Sequence, residues 1–247
     1  MLILLPPSEG KTTRRRGRVM DLDTLSSPEL TPLREQAIEA LGEVSARPDA
    51  ASVLKVSANL TDEIARNVEL LAAPALPAGE LYSGVLYDAL DLPSLETAAR
   101  RRANRWVAVQ SALYGVLRLT DRVAPYRLSM GVNLPGVGPL AGYWRPALNT
   151  VMPTLARGVI VDCRSSTYAA AWSPQGALAD RWVQVNVLGA THMAKHTRGL
   201  VARHLCLAGV DATQPEALHS VVSAAFSADL EEPSRSGQPW RLTVQYV

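Results

Sequence analysis

The chain has 247 residues, 47% of them hydrophobic and 19% charged, with a formal net charge of +2. That balance excludes a disordered chain and allows a substantial core, in one large domain or two small ones. No apolar run approaches the roughly 18 residues of a membrane span, and two cysteines, Cys163 and Cys206, make no disulfide framework, so a cytoplasmic setting is expected.

Met1 to Leu5 is a short continuous apolar run, which predicts a strand buried on both faces. It lacks the basic start of a secretory signal. Pro6, Pro7 and Gly10 end it, and a basic loop with Lys11, Arg14, Arg15, Arg16 and Arg18 follows. Ser27-Pro28-Glu29 predicts a helix start with a serine cap and proline at the first position. Leu30, Leu33, Ala37, Leu41 and Val44 then mark one helical face. Thr61-Asp62-Glu63 predicts another helix, ended by Pro74 and Pro77. Residues 93–105 read as a basic helix carrying Arg100, Arg101, Arg102 and Arg105. Both arginine-rich clusters could contact phosphate or be plain solvated surface.

Trp106 to Val109 predicts a strand, residues 145–156 a helix, and Val159 to Cys163 a second strand followed by polar Arg164-Ser165-Ser166. Trp182 to Leu188 alternates like a strand. Met193 to Leu207 is amphipathic and stops at Gly209. Thr213-Gln214-Pro215-Glu216 has the form of a capping box, and Arg241 to Tyr246 predicts a terminal strand. The pattern gives an α/β class (α+β-like): a single compact domain over 1–247, with a mixed β-sheet flanked by helices.

The densest chemistry lies in Ser111 to Gly131, where Tyr114, Arg118, Asp121, Arg122, Tyr126 and Arg127 crowd around Gly115 and Pro125. Tyrosine and arginine together suit a planar or anionic partner. The same residues also suit a polar seam that satisfies buried backbone groups. If the first strands are parallel neighbours, the loops at Ser8–Lys11, Tyr114–Arg118 and Asp162–Tyr168 share one rim. Lys11, Tyr114, Arg118, Arg127 and Lys195 then converge on a basic cleft.

Other motifs carry less. Ser8-Glu9-Gly10-Lys11-Thr12 ends like a phosphate loop, but Leu5 stands where its first glycine belongs. Leu134-Pro135-Gly136-Val137-Gly138 matches the hairpin of helix-hairpin-helix DNA binders, although Pro125 and Gly131 argue against a leading helix. His192 and His196 share a helix face without a third ligand, and Lys195 between them repels a cation, so no metal is expected. No elbow motif supports a hydrolase triad of Ser165, Ser166 and His204. No cofactor is expected.

Four landmarks in order resemble those of the YaaA peroxide-stress family. They are the opening MLILLPPSEGK with Lys11, Tyr82-Ser83-Gly84, the block from Leu113-Tyr114-Gly115 through Asp121 to Pro125-Tyr126-Arg127, and Lys195-His196-Thr197-Arg198-Gly199. Thr167 and Ser129 depart from acidic residues common in the family. The resemblance implies an unusual compact α/β fold and a cytoplasmic peroxide (oxidative) stress response protein that limits free intracellular iron. Its expected partner is DNA, bound with weak sequence preference. Nucleic-acid or anion binding is then expected of Lys11, Tyr82, Tyr114, Arg118, Asp121, Tyr126, Arg127, Lys195 and Arg198. The alternative is an enzyme acting in the same cleft on a small anionic or nucleotide-like substrate. No membrane partner is expected.

Overall fold

In the computed structural model, which describes residues 1–189 and 191–245, seven strands form one mixed sheet. They are β1 (Leu2–Leu5), β2 (Val107–Ser111), β3 (Gly115–Arg118), β4 (Ile160–Asp162), β5 (Trp182–Val187), β6 (Ser227–Glu231) and β7 (Trp240–Gln245). Their order across the sheet is β6-β7-β5-β4-β1-β2-β3. The inner five are parallel neighbours, and β3 and β6 close the two edges antiparallel. The longer helices are α1 (Thr31–Ser45), α2 (Val85–Leu90), α3 (Thr97–Trp106), α4 (Leu140–Leu155), α5 (Thr191–Ala208) and α6 (Pro215–Ser223). The fold is α/β.

The apolar run at the N-terminus becomes the middle of the sheet. Leu2, Ile3, Leu4 and Leu5 are all fully buried, as a parallel strand covered on both faces requires. Burying each such side chain contributes about 1.5–3 kcal/mol. On α1 the buried positions Ala37, Ile38, Leu41 and Val44 follow the expected face. Helix α5 runs to Ala208, and Gly209 (φ 73°) turns the chain, its N–H bonded to the Leu205 carbonyl. Gly199 lets α5 cross α2 closely. A Cβ there would stand 2.2 Å from the Leu86 carbonyl oxygen, so the glycine of the Arg198-Gly199 pair is a packing requirement.

Three local expectations need correction. Ser27 adopts a left-handed φ of 59° and makes no side-chain cap bond; a 3-10 turn over Pro28–Leu30 leads into α1. Gln214 precedes α6 without a side-chain cap bond, so no capping box forms. Helix α4 begins at Leu140, earlier than the pattern predicts, and tolerates Pro146 and Pro153. As Pro125 and Gly131 argued, the Leu134–Gly138 stretch is no helix-hairpin-helix element: it is a two-residue antiparallel pair, Asn133–Leu134 with Gly138–Pro139. No helix leads into it. Among the described residues no helix is long and apolar enough to cross a membrane.

Candidate functional site

The segments leaving β1, β4 and β5 meet beyond the C-terminal ends of three adjacent parallel strands, where open α/β sheets gather ligands. With parts of residues 55–60, 83–87 and 127–129 they enclose a cleft of about 880 Å³. Ser8, Ser57, Ser83, Ser129 and Ser165 contribute to its lining, as do the cations Lys11, Lys55, Arg127, Lys195 and Arg198.

Lys11 is fixed by local backbone. It forms a single antiparallel bridge with Tyr82, and the N–H of Thr12 bonds to the Leu81 carbonyl. Its Nζ donates to the carbonyls of Ser8 (2.8 Å) and Glu9 (3.3 Å) and lies 4.2 Å from the centre of the Tyr126 ring. Among the described residues no carboxylate reaches ion-pair distance of it. Burial first, then the neighbouring Arg127 guanidinium, lowers its pKa to about 7, against the raising influence of Glu63 and Glu9.

Tyr87 lines the cleft, while Tyr82 and Tyr126 are buried behind Lys11 and outside the lining. Tyr82 stacks on Tyr87, whose hydroxyl donates to the Pro6 carbonyl at 2.7 Å. The Ser111 Oγ accepts the N–H groups of Leu113 and Tyr114 and lies 2.7 Å from the Tyr126 hydroxyl, which is 3.2 Å from that of Tyr82. With two lone pairs engaged, Ser111 gives its proton to Tyr126, and Tyr126 gives its own to Tyr82. Burial raises the pKa of all three tyrosines well above the usual phenol range. They therefore remain neutral, and Lys11 rests on an aromatic face rather than beside a phenolate.

Arg127 follows Pro125 and Tyr126. Its N–H donates to Asn67 Oδ1 (2.8 Å) and its carbonyl accepts from Asn67 Nδ2 (3.0 Å). Its guanidinium meets Glu63 at 3.1 Å and Glu9 at 3.8 Å, and remains 18% exposed at the cleft. Lys195 is exposed, and Arg198 is half-buried with Nε on the Val185 carbonyl. Lys11, Arg127, Lys195 and Arg198 thus line one cleft, whereas Tyr82 and Tyr126 lie outside its lining and reach it only through Lys11.

Tyr114, Arg118 and Asp121 lie outside its lining. The shared rim expected for Tyr114–Arg118 does not form, and the reason is the chain reversal at Gly115 (φ 74°), where a Cβ would strike Trp144 at 2.9 Å. Strand β3 therefore runs back along β2, pairing Ser111 with Gly115 and Ala108 with Arg118. This carries Arg118 to the opposite end of the sheet, where Nη1 donates to the Arg105 carbonyl at 3.1 Å. Asp121 accepts from the Ser26 and Arg118 N–H groups and the Ser26 hydroxyl. Tyr114 is fully buried and donates to the Ala124 carbonyl. This half of the signature is the polar seam that its composition also allowed.

The interactions of several residues escaped the sequence reading. Arg164 and Asp162 form a fully buried ion pair at the end of β4, with Arg164 Nε on Oδ1 at 2.8 Å and Nη2 on Oδ2 at 2.6 Å. Gln110 accepts from Arg164, and Trp182 donates to Asp162. The pair anchors the loop that brings Ser165 and Tyr168 to the cleft. Arg34, also fully buried, donates to the carbonyls of Ser26, Tyr114 and Val116 and clamps the seam. Burial lowers its pKa to about 10. Lys55 holds a left-handed φ of 55° at the rim, and Nζ donates to the Gly131 carbonyl. Cys163 is buried beneath the cleft, and that burial raises its thiol to about 12, which makes it a poor nucleophile. Among the described residues no group of three His, Cys, Asp or Glu side chains could hold a metal.

The profile of the family described as "Peroxide stress protein YaaA" matches residues 1–232. A UPF0246 protein of Streptomyces coelicolor is 46% identical over 257 residues, covering 99% of this chain and 98% of its own. UPF0246 proteins of Corynebacterium efficiens (41% identical; 86% of this chain, 88% of the relative) and Corynebacterium glutamicum (35%; 95% and 96%) are also similar. A match of this length places the four landmarks and the cleft they build in one framework: the chain belongs to the YaaA peroxide stress protein family.

Proposed function

We propose that this chain is a cytoplasmic protein of the peroxide response that binds DNA through the cleft, seating one unstacked nucleotide unit among its cations. The observation that carries this reading is the gathering of Lys11, Lys55, Arg127, Lys195 and Arg198 around one opening. Lysine and arginine are the usual phosphate contacts, and serine hydroxyls commonly add to them. The volume, about 880 Å³, suits a nucleotide-sized group better than a whole duplex, whose grooves take secondary-structure elements. Limiting free iron then belongs to the same protective response and not to metal held in the cleft, because a cationic lining repels ferrous ion.

A second reading, an enzyme acting on a small anionic substrate, is favoured by the depressed Lys11 pKa, since shifted groups in clefts are candidates for chemistry.

Fluorescence anisotropy with a single-stranded oligonucleotide and a matched duplex tests the first reading. Binding should weaken steeply with salt, with a log–log slope of about −0.7 per phosphate contact on the single strand. Absence of binding at low salt, or a flat salt dependence, contradicts it.

A further inference from the structure

Only three of the 25 basic residues in this chain are lysines, Lys11, Lys55 and Lys195. All three line the same cleft. Elsewhere the chain uses arginine for every positive charge, in solvated clusters and buried clamps alike. For solvated charge the two residues are nearly equivalent, but only lysine can lose its proton near neutrality and act as an amine. The concentration of lysine in one cleft is therefore a chemical selection, and the three residues differ in surroundings. Lys55 and Lys195 are exposed. Lys11 lies deeper, with Nζ against the Tyr126 ring, beside Arg127, and bonded only to carbonyl oxygens among the described residues.

We propose that Lys11 is an imine-forming amine that takes the aldehyde of a sugar phosphate seated in the cleft, with Lys55, Lys195 and Arg127 available to its phosphate. This rests on the reading that the cleft receives a nucleotide-like anion. The aldehyde could belong to a base-less deoxyribose within a DNA strand or to a free sugar phosphate, and the recognising chemistry is the same.

The step balances without a further reactant. The Nζ lone pair attacks the carbonyl carbon, and the C=O π pair passes to oxygen, which takes up a proton. Nitrogen gives up one proton, leaving a neutral carbinolamine. The hydroxyl then accepts a second proton and leaves as water while the nitrogen lone pair closes a C=N bond. One proton is consumed in total, and the product is the protonated imine plus water. Oxidation states are unchanged. The neutral Tyr82 and Tyr126 beside it leave Lys11 with no fixed counter-charge in contact, and Glu9 and Glu63 reach Arg127 rather than Nζ. With its pKa at about 7, roughly half of the Lys11 amines are neutral at pH 7, against under one in a thousand for an ordinary lysine.

The test uses the full chain and three probes: a single-stranded oligonucleotide with one abasic deoxyribose, the same oligonucleotide intact, and ribose 5-phosphate. Each is incubated with and without sodium cyanoborohydride, which delivers hydride to the imine carbon and leaves a stable secondary amine. Peptide mass mapping then compares Lys11, Lys55, Lys195 and the Met1 amine. The expected result is a cyanoborohydride-dependent adduct on Lys11 about tenfold or more above the other amines, with a rate that rises with pH and levels near 7. Lys11→Arg and Lys11→Met, shown folded by thermal melting, should lose it. Adducts spread evenly over the amines, concentrated on Lys55 or Lys195, or absent with both aldehydes overturn the proposal. If the intact oligonucleotide binds but neither aldehyde is trapped, the imine fails and the DNA reading stands. If ribose 5-phosphate is trapped on Lys11 while neither oligonucleotide binds, the DNA reading fails and the imine stands.

Discussion

The cleft and the hairpin seam use nearly the same residue types to opposite ends. In the seam, Arg34, Arg118 and Asp121 bond mainly to backbone groups of neighbouring segments, although the buried Arg34 Nη1 finds no partner among the described residues, and Tyr114 donates inward. In the cleft, Lys11, Lys195 and Arg127 present charge to an opening. Arginine bonded to several carbonyls supports a fold, whereas cations grouped around a cavity attract a partner. What separates the two is the direction of the chain. A left-handed glycine folds Arg118 back down the sheet, while Pro125 and the Asn67 clasp carry Arg127 up to the cleft end of the sheet.

The largest expected effect tests the foundation under the cleft. Asp162→Asn leaves Arg164 charged and buried without its counter-ion, which should cost about 3–5 kcal/mol. Urea denaturation of the variant measures this. A cost within experimental scatter would mean that the pair does not anchor the cleft loop.

Next is Arg127→Lys, which keeps the charge but removes the planar fork. Oligonucleotide affinity should fall about tenfold, equivalent to about 1.4 kcal/mol, with the melting temperature nearly unchanged, because the backbone clasp by Asn67 is untouched. The converse, Arg118→Lys, should lower the melting temperature and leave affinity alone. Exchange of these two phenotypes would reverse the assignment of seam and cleft.

A pH-dependent effect follows from Lys11. Its folded pKa, about 7, lies below the unfolded value of about 10.4. Between these the unfolded chain binds more protons, so Lys11 makes stability rise with pH through that window. Below pH 7 its cost is fully present; above the unfolded value it is gone. Lys11→Met should therefore be more stable than the native chain at pH 6.5 by a margin that shrinks toward pH 9, read from urea midpoints. A margin independent of pH would show that Lys11 titrates like a surface lysine.

Much of this was legible in sequence where apolar pattern and backbone restriction coincide. The runs Met1–Leu5, Val159–Cys163 and Trp182–Leu188 contain neighbouring parallel strands, and the loops after the first two, Ser8–Lys11 and Asp162–Tyr168, pointed to the cleft. Strand β6 was not visible, because Ser-Ala-Asp-Leu-Glu is a half-exposed edge with little apolar alternation. Strand β3 falls in the stretch Tyr114–Arg118 that the sequence presents as a rim loop, because Gly115 and Arg118 bracket only two apolar residues, and its antiparallel return decides which arginine reaches the cleft. The buried pair Asp162–Arg164 looked like an ordinary polar loop, since burial of charge leaves no mark in local composition. Lys55 stood alone in its segment, and only tertiary structure brings it beside Lys11 and Lys195.

The most direct measurement is the salt dependence of single-stranded oligonucleotide binding for the native chain, Lys195→Ala and Arg101→Ala. Both variants remove one exposed positive charge, but only Lys195 lines the cleft. Lys195→Ala should weaken binding and shorten the salt slope by about 0.7, while Arg101→Ala should leave both unchanged. Equal losses in the two variants, or loss only with Arg101→Ala, would contradict the assignment of the cleft as the seat of the partner.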